Sequence, residues 1–142
     1  MALSQNELVF QISETLARPR ALHDLPPLTN WGRGALTLLG DAAHPMLPFL
    51  AQGAAAALED AFVLGRHLKG ASDAPAALRA YESERASRTA RLQTAARSTG
   101  LYYRLSGPLA FARDLALRAM GGDGLIKRNE WIYDYDAGSG QR

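Results

Sequence analysis

A chain of 142 residues has room for one domain of ordinary size, and 47% hydrophobic with 21% charged residues makes a buried core the expectation over disorder. Lys and Arg number 16 against 14 Asp and Glu, a formal charge of +2 and too small a surplus to argue for nucleic acid. The absence of Cys excludes disulfides, thiolate metal sites and cysteine nucleophiles.

The first residues, MALSQNELVFQISE, hold neither a basic n-region nor an apolar run of spanning length, so the reading is a cytoplasmic protein without a membrane partner. Leu8, Val9, Ile12 and Leu16 follow helical spacing and predict a short amphipathic helix over 5–17, ended by Pro19. Residues 21–25 read as a short extended segment closed by Pro26 and Pro27. Trp31, Gly32 and Gly34 then lead into Ala35-Leu36-Thr37-Leu38-Leu39, an apolar run between glycines. That pattern suits a strand buried on both faces of a parallel sheet, and its neighbours are expected outside this sequence.

Residues 40–53 read as a loop stiffened by Pro45 and Pro48. From Gly53 a helix is predicted, with Ala54, Ala57, Leu58, Ala61, Leu64, Gly65 and Leu68 on its inner stripe and Gly70 as its stop. Asp73 is a good N-cap, with Pro75 in the first turn, for a long helix running to about Leu105. Its inward stripe is expected to be Leu78, Tyr81, Arg85, Leu92, Ala96, Thr99 and Tyr103. Glu84 and Arg88 are spaced as an i,i+4 pair worth about 0.3–0.5 kcal/mol. An arginine on an apolar stripe needs an anion, so Glu59 or Asp60 is expected to pair with Arg85 or Arg88. Gly107-Pro108 restarts a helix over about 108–120, ended by Gly121-Gly122, and Trp131-Ile132-Tyr133 lies in the tail.

The three histidines, His23, His44 and His67, are too scattered for a metal site. No serine-hydrolase elbow, P-loop or G-x-G-x-x-G turn is present. One stretch carries chemistry: Gly40-Asp41-Ala42-Ala43-His44-Pro45-Met46-Leu47-Pro48-Phe49-Leu50-Ala51-Gln52-Gly53-Ala54-Ala55-Ala56-Ala57-Leu58-Glu59-Asp60-Ala61. A strand ending in Gly-Asp puts a carboxylate at a sheet edge, and a helix opening on small residues offers free backbone N–H groups to a flat, partly anionic ligand.

This stretch resembles the second flavin-binding motif of the FAD-dependent aromatic hydroxylases of the para-hydroxybenzoate hydroxylase type, in the salicylate and 3-hydroxybenzoate hydroxylase branch. The resemblance extends to residues 21–27, to Tyr81-Glu82-Ser83-Glu84-Arg85 with Arg88, and to the segment from Trp131 to Asp136. It implies an α/β, Rossmann-like parent fold of which this chain is the mostly helical C-terminal part, with one or two strands. The implied organisation is 1–27 as the end of a substrate-binding domain, 28–70 as the flavin motif and 71–142 as a helical region. The implied activity is NAD(P)H- and O2-dependent hydroxylation of a phenolic acid such as salicylate or a hydroxybenzoate, with FAD as cofactor and NADH or NADPH as co-substrate.

The same resemblance implies roles. Asp41 would accept a hydrogen bond from a ribityl hydroxyl, Gly53, Ala54 and Ala55 would present backbone N–H groups to the flavin N1/O2 edge, and Gly40 and Gln52 would also belong to the cofactor-binding set. Pro48 would lie beside the ring system with Leu47 and Phe49 near the substrate. His44 is a candidate for proton transfer against the plainer role of ordering its loop, and His23 a candidate for facing the substrate. The family's ADP-binding turn has no counterpart here. An N-terminal half supplied elsewhere, or a homo-oligomer, is therefore the expected partner beside a small aromatic substrate and O2. The alternative is a non-catalytic remnant or accessory subunit acting through protein–protein association.

Overall fold

The structure, a computed structural model, describes residues 24–139. The predicted helix over 5–17, residues 21–23 of the extended segment and the candidate His23 lie outside the described residues. Asp24 and Leu25 form no strand. Asp24 instead pairs with Arg97, and the Leu25 carbonyl accepts from Gln93 Nε2 at 3.2 Å.

The apolar run at 35–39 departs from its expectation. It contributes only β2 (Leu36–Thr37), paired antiparallel with β1 (Gly32–Arg33), Gly32 facing Thr37 and Arg33 facing Leu36. Leu36 is 76% exposed within this chain, and the departure is the antiparallel partner inside the sequence. The reason is local. Gly34-Ala35 makes a two-residue turn that brings a partner strand from immediately upstream. The Leu38 N–H continues the pairing to the Trp31 carbonyl at 2.9 Å.

Two 3-10 turns follow, Gly40–Ala42 and Pro48–Leu50, then three helices: α1 (Gly53–Leu68), α2 (Ala74–Arg104) and α3 (Gly107–Tyr133). The start of α2 is set as expected. Asp73 is extended and its side chain accepts the Ala76 N–H at 3.1 Å, while Pro75 occupies the first turn. Its buried face comprises Ala77, Leu78, Tyr81, Arg85, Thr89, Leu92, Gln93, Ala96 and Gly100. Thr99 is only half-buried and Tyr103 is 67% exposed, because the face drifts round the helix toward Gly100 over its 31 residues. At Gly100 a Cβ would stand 2.5 Å from the Phe49 ring, so only glycine admits that ring.

The expected stop at Gly121-Gly122 is present as a break between two helical segments of α3. Gly121 has φ 67° and ψ 178°, a break that glycine alone takes easily, and the helix resumes to include Trp131, Ile132 and Tyr133. The expected Glu84–Arg88 pair does not form. Glu84 bonds Arg66 and His67, while Arg88 bonds Glu59. Both side chains reach across to α1, where each meets two or more partly buried hydrogen-bonding contacts instead of a single i,i+4 partner.

The inner face of α1 is also not the predicted one. Ala56, Asp60 and Val63 are buried, whereas Ala54, Leu58, Ala61, Gly65 and Leu68 are exposed. The core has two clusters. Trp31, Ala43, Val63 and Tyr81 form one, with Leu28, Leu64, Ala86 and Ala137 at its margin. Ala56, Leu92 and Ile132 form the other, with Met46, Leu50 and Trp131. Among the described residues no helix is long and apolar enough to cross a membrane, and no three His, Cys, Asp or Glu side chains gather as a metal site.

Candidate functional site

The Gly40–His44 turn closes on itself through Ala43 N–H and His44 N–H, both donated to the Gly40 carbonyl at 2.9 Å. This winds the chain back sharply after β2 and leaves Asp41 on the outside. Asp41 is exposed and makes no hydrogen bond or ion pair among the described residues. Its Oδ1 lies 3.7 Å from where a Cβ on Gly53 would stand, which sets the carboxylate beside the first residue of α1.

That helix end is open. Gln52, the residue before it, gives no side-chain cap, and the first turn holds no acidic residue. Ala56 N–H bonds the Gln52 carbonyl at 2.9 Å, leaving the N–H groups of Gly53, Ala54 and Ala55 as the unclaimed donors of the first turn. Aligned peptide dipoles give such an end about half a positive charge. Just before it, Ala51 has φ 53° and ψ 30°, a left-handed conformation that costs a non-glycine residue about 1 kcal/mol. That strain turns the chain from the Pro48–Leu50 segment into α1.

Behind this surface the turn is anchored by charge. Asp60 is fully buried; its Oδ2 accepts the Gly40 N–H at 3.0 Å and His44 Nε2 at 2.5 Å, and its Oδ1 accepts Arg85 Nε at 2.7 Å. Burial works against its ionisation, yet the bonds from His44, Arg85 and Gly40 outweigh it and hold the carboxyl below its ordinary range. Burial likewise pushes the Tyr81 phenol up, with the Asp60 charge adding to it. Glu59 accepts from Arg85 at 2.7 Å and from Arg88 at 2.9 and 3.1 Å. The expected pairing of Glu59 or Asp60 with Arg85 or Arg88 is therefore present, with both carboxylates engaged.

The remaining sequence candidates divide by location. Asp41, Gly53, Ala54 and Ala55 lie at the open helix end, whereas Gly40 is buried further along α1, against Ala57 and with its N–H on Asp60. His44 is 1% exposed, packed 5.4 Å from the Trp31 ring and turned inward to Asp60. Gln52 donates to the Leu50 carbonyl at 3.4 Å. Pro48 opens the second 3-10 turn, with Leu47 just before it. Phe49 packs edge-to-face on Tyr103 at 5.7 Å and lines a cavity of about 760 Å³ between α2 and α3 with Leu50, Tyr102 and Leu117.

Sequence reasoning missed Gln93, whose Nε2 donates to the Pro45 carbonyl at 2.8 Å and pins the loop to α2. Its signal was a lone amide on an otherwise apolar stripe. It also missed the cap on α3. Arg88 donates to the Trp131 and Ile132 carbonyls at 2.9 Å each and lies 4.1 Å from the Tyr135 ring centre.

A free carboxylate and an uncapped helix N-terminus thus offer an acceptor and unclaimed N–H donors side by side. Comparison with known families gives the class: residues 26–96 match the model described as FAD binding domain, and the chain belongs to that family. It is 41% identical over 113 residues to 3-hydroxybenzoate 6-hydroxylase 1 of Aquipseudomonas alcaligenes, covering 79% of this chain and 29% of that protein. Two solved structures are similar. One is HpxO of Klebsiella pneumoniae complexed with FAD and uric acid, with TM-score 0.69, 38% identity and coverage of 74% of this chain and 27% of that one. The other is a salicylate hydroxylase substrate complex, with TM-score 0.66, 35% identity and coverage of 84% and 29%. The chain thus spans less than a third of the length of each of these three proteins. The helical architecture with one small sheet agrees with the C-terminal portion expected of such a flavoprotein.

Proposed function

We propose that this chain supplies the ribityl- and pyrimidine-binding part of an FAD-dependent, NAD(P)H- and O2-using monooxygenase that hydroxylates a phenolic aromatic acid such as salicylate or a hydroxybenzoate. The observation that carries the reading is the pairing of the unclaimed Gly53–Ala55 N–H groups with the unpartnered Asp41 carboxylate at one helix end. Those groups fit FAD by donor type. A carboxylate accepts from a ribityl hydroxyl, and a helix N-terminus favours the negative charge that reduction places on the flavin. When bound, the flavin supplies the redox and oxygen chemistry.

This chain's residues then bind and orient. Asp41 holds the ribityl chain, Gly53, Ala54 and Ala55 hold the pyrimidine edge, and Pro48 with Leu47 stiffens the wall beside the ring. His44 orders the loop through Asp60. Names of relatives, which act on 3-hydroxybenzoate and salicylate, support the phenolic acid as substrate class.

Asp41→Ala in the flavin-loaded enzyme tests the assignment. Losing a hydrogen bond to a charged acceptor costs about 1.5–3 kcal/mol, a roughly ten- to hundredfold loss of FAD affinity. Because Asp41 is exposed, the melting transition should stay close to that of the parent. Unchanged flavin content after desalting would reject the role.

A further inference from the structure

Asp60 spends its two oxygens differently from its neighbour Glu59. Glu59 turns both oxygens to α2, where Arg85 and Arg88 bind them. Asp60 gives only Oδ1 to α2, through Arg85 Nε. Its Oδ2 takes the two ends of the Gly40–His44 turn, the Gly40 N–H at 3.0 Å and His44 Nε2 at 2.5 Å. A carboxylate needed only to hold α1 on α2 has no use for that second set of donors.

We infer that Asp60 is a positioning residue for the flavin cradle, fixing the Asp41-bearing turn against the N-terminus of α1 through Gly40 and His44. The inference rests on the proposed flavin site and adds the residue that holds its two halves in register. The cradle has no covalent continuity at close range, since Asp41 sits on the turn and Gly53 opens the helix. The helix is the ruler between them. Asp60 stands seven residues along α1 from Gly53, about 10 Å at the α-helical rise. Latching the turn to Asp60 therefore sets where Asp41 stands relative to Gly53.

Arg85, fully buried itself, keeps Asp60 ionised and so able to accept both turn donors. An ionised Asp60 has no proton to give, so His44 donates from Nε2. Its Nδ1 is buried without a partner, which ties the ring to this one bond. Asparagine cannot replace the carboxylate. Its amide would face either the Arg85 N–H or the Gly40 N–H, donor against donor.

The test compares Asp60→Asn, Glu59→Gln and Asp41→Ala in the flavin-loaded enzyme, reading FAD dissociation constant, flavin midpoint potential and thermal midpoint. Asp60→Asn should raise the FAD dissociation constant about tenfold and move the potential more negative, because the α1 N–H groups lose their alignment on the reduced ring. Glu59→Gln should lower the thermal midpoint without either flavin effect. Equal flavin behaviour in Asp60→Asn and Glu59→Gln would overturn the inference. Weak binding in Asp41→Ala beside parental binding in Asp60→Asn would overturn it while leaving the flavin site standing. A parent enzyme that holds no FAD would overturn both. Should Asp60→Asn not fold, His44→Ala and His44→Gln decide the matter. The glutamine amide can still donate to Oδ2, so it should recover part of the affinity lost in the alanine variant. Identical losses in the two would overturn the inference.

Discussion

The two faces of α1 are loaded in the opposite sense to an ordinary surface helix. The face on α2 buries Asp60 completely and Glu59 largely, beside Ala56 and Val63. The outward face carries Leu58 at 73%, Phe62 at 56% and Leu68 at 40% exposure, with Ala54 and Ala61 between them. Charge lies inside and apolar surface outside. The difference shows that the seam of α1 on α2 is set by ion pairing together with Ala56 and Val63. The outward face is exposed with respect to this chain, which spans part of its relatives' length. Two carboxylates meet two guanidinium groups and an imidazole on fixed partners.

The sharpest way to break that comparison is to leave the inner charges unmatched. Arg85→Ala removes the bonds to Asp60 Oδ1, Glu59 and the Ala56 carbonyl together. It strands Asp60 in the core with only Gly40 and His44 as donors. Breaking one partner of a buried pair costs about 3–5 kcal/mol, so chemical denaturation should show the largest loss of any single substitution considered. A loss below about 1 kcal/mol would mean that water reaches Asp60 and the seam is not dry.

How far the sequence foretold this seam follows from the same inversion. Helix ends were legible because their signals are local: Asp73 with Pro75 opens α2, and Gly70 follows α1 with φ 74°. The pairing of Glu59 and Asp60 with Arg85 and Arg88 was legible because an arginine on an apolar stripe demands an anion. The inner face of α1 was not. A periodicity argument assigns the apolar stripe to the core, and here that stripe is the outer one. At 35–39 the local partner was not legible, since the spacing of that run does not show that the Gly34-Ala35 turn folds Gly32–Arg33 back on it. Within the site, Asp41 and Gly53–Ala55 were legible as a motif. The strain at Ala51 and the loop anchor Gln93 depend on tertiary contacts that no spacing encodes.

Acid sharpens the comparison at a smaller scale. Burial tends to raise the Asp60 and Glu84 carboxyls, but both are held below their ordinary values of 3.8 and 4.5, Asp60 by His44, Arg85 and Gly40, and Glu84 by His67 and Arg66. A carboxylate with a depressed folded pKa contributes stability that is fully present above its unfolded value and is lost as pH falls through the folded one. Stability should therefore hold above about pH 5 and decline below about pH 4. Glu84→Gln should remove part of that decline, read as the difference between denaturation midpoints across the acid range. A stability profile that rises on acidification would contradict the pairing.

The outer face should respond least in stability and most in solution behaviour. Leu58 and Phe62 touch little within the described fold, so Leu58→Glu combined with Phe62→Ser should change unfolding free energy by about 0.5 kcal/mol or less. Glutamate is close to leucine in helix propensity and serine close to phenylalanine, so neither exchange weakens α1 by more than about a few tenths of a kcal/mol. Contiguous exposed apolar surface drives association between copies, so sedimentation of the 142-residue chain should shift toward the smaller species in the double variant. If unfolding free energy instead falls by more than about 1 kcal/mol, the outer side chains are packed within the chain, and the inversion between the two faces of α1 does not exist.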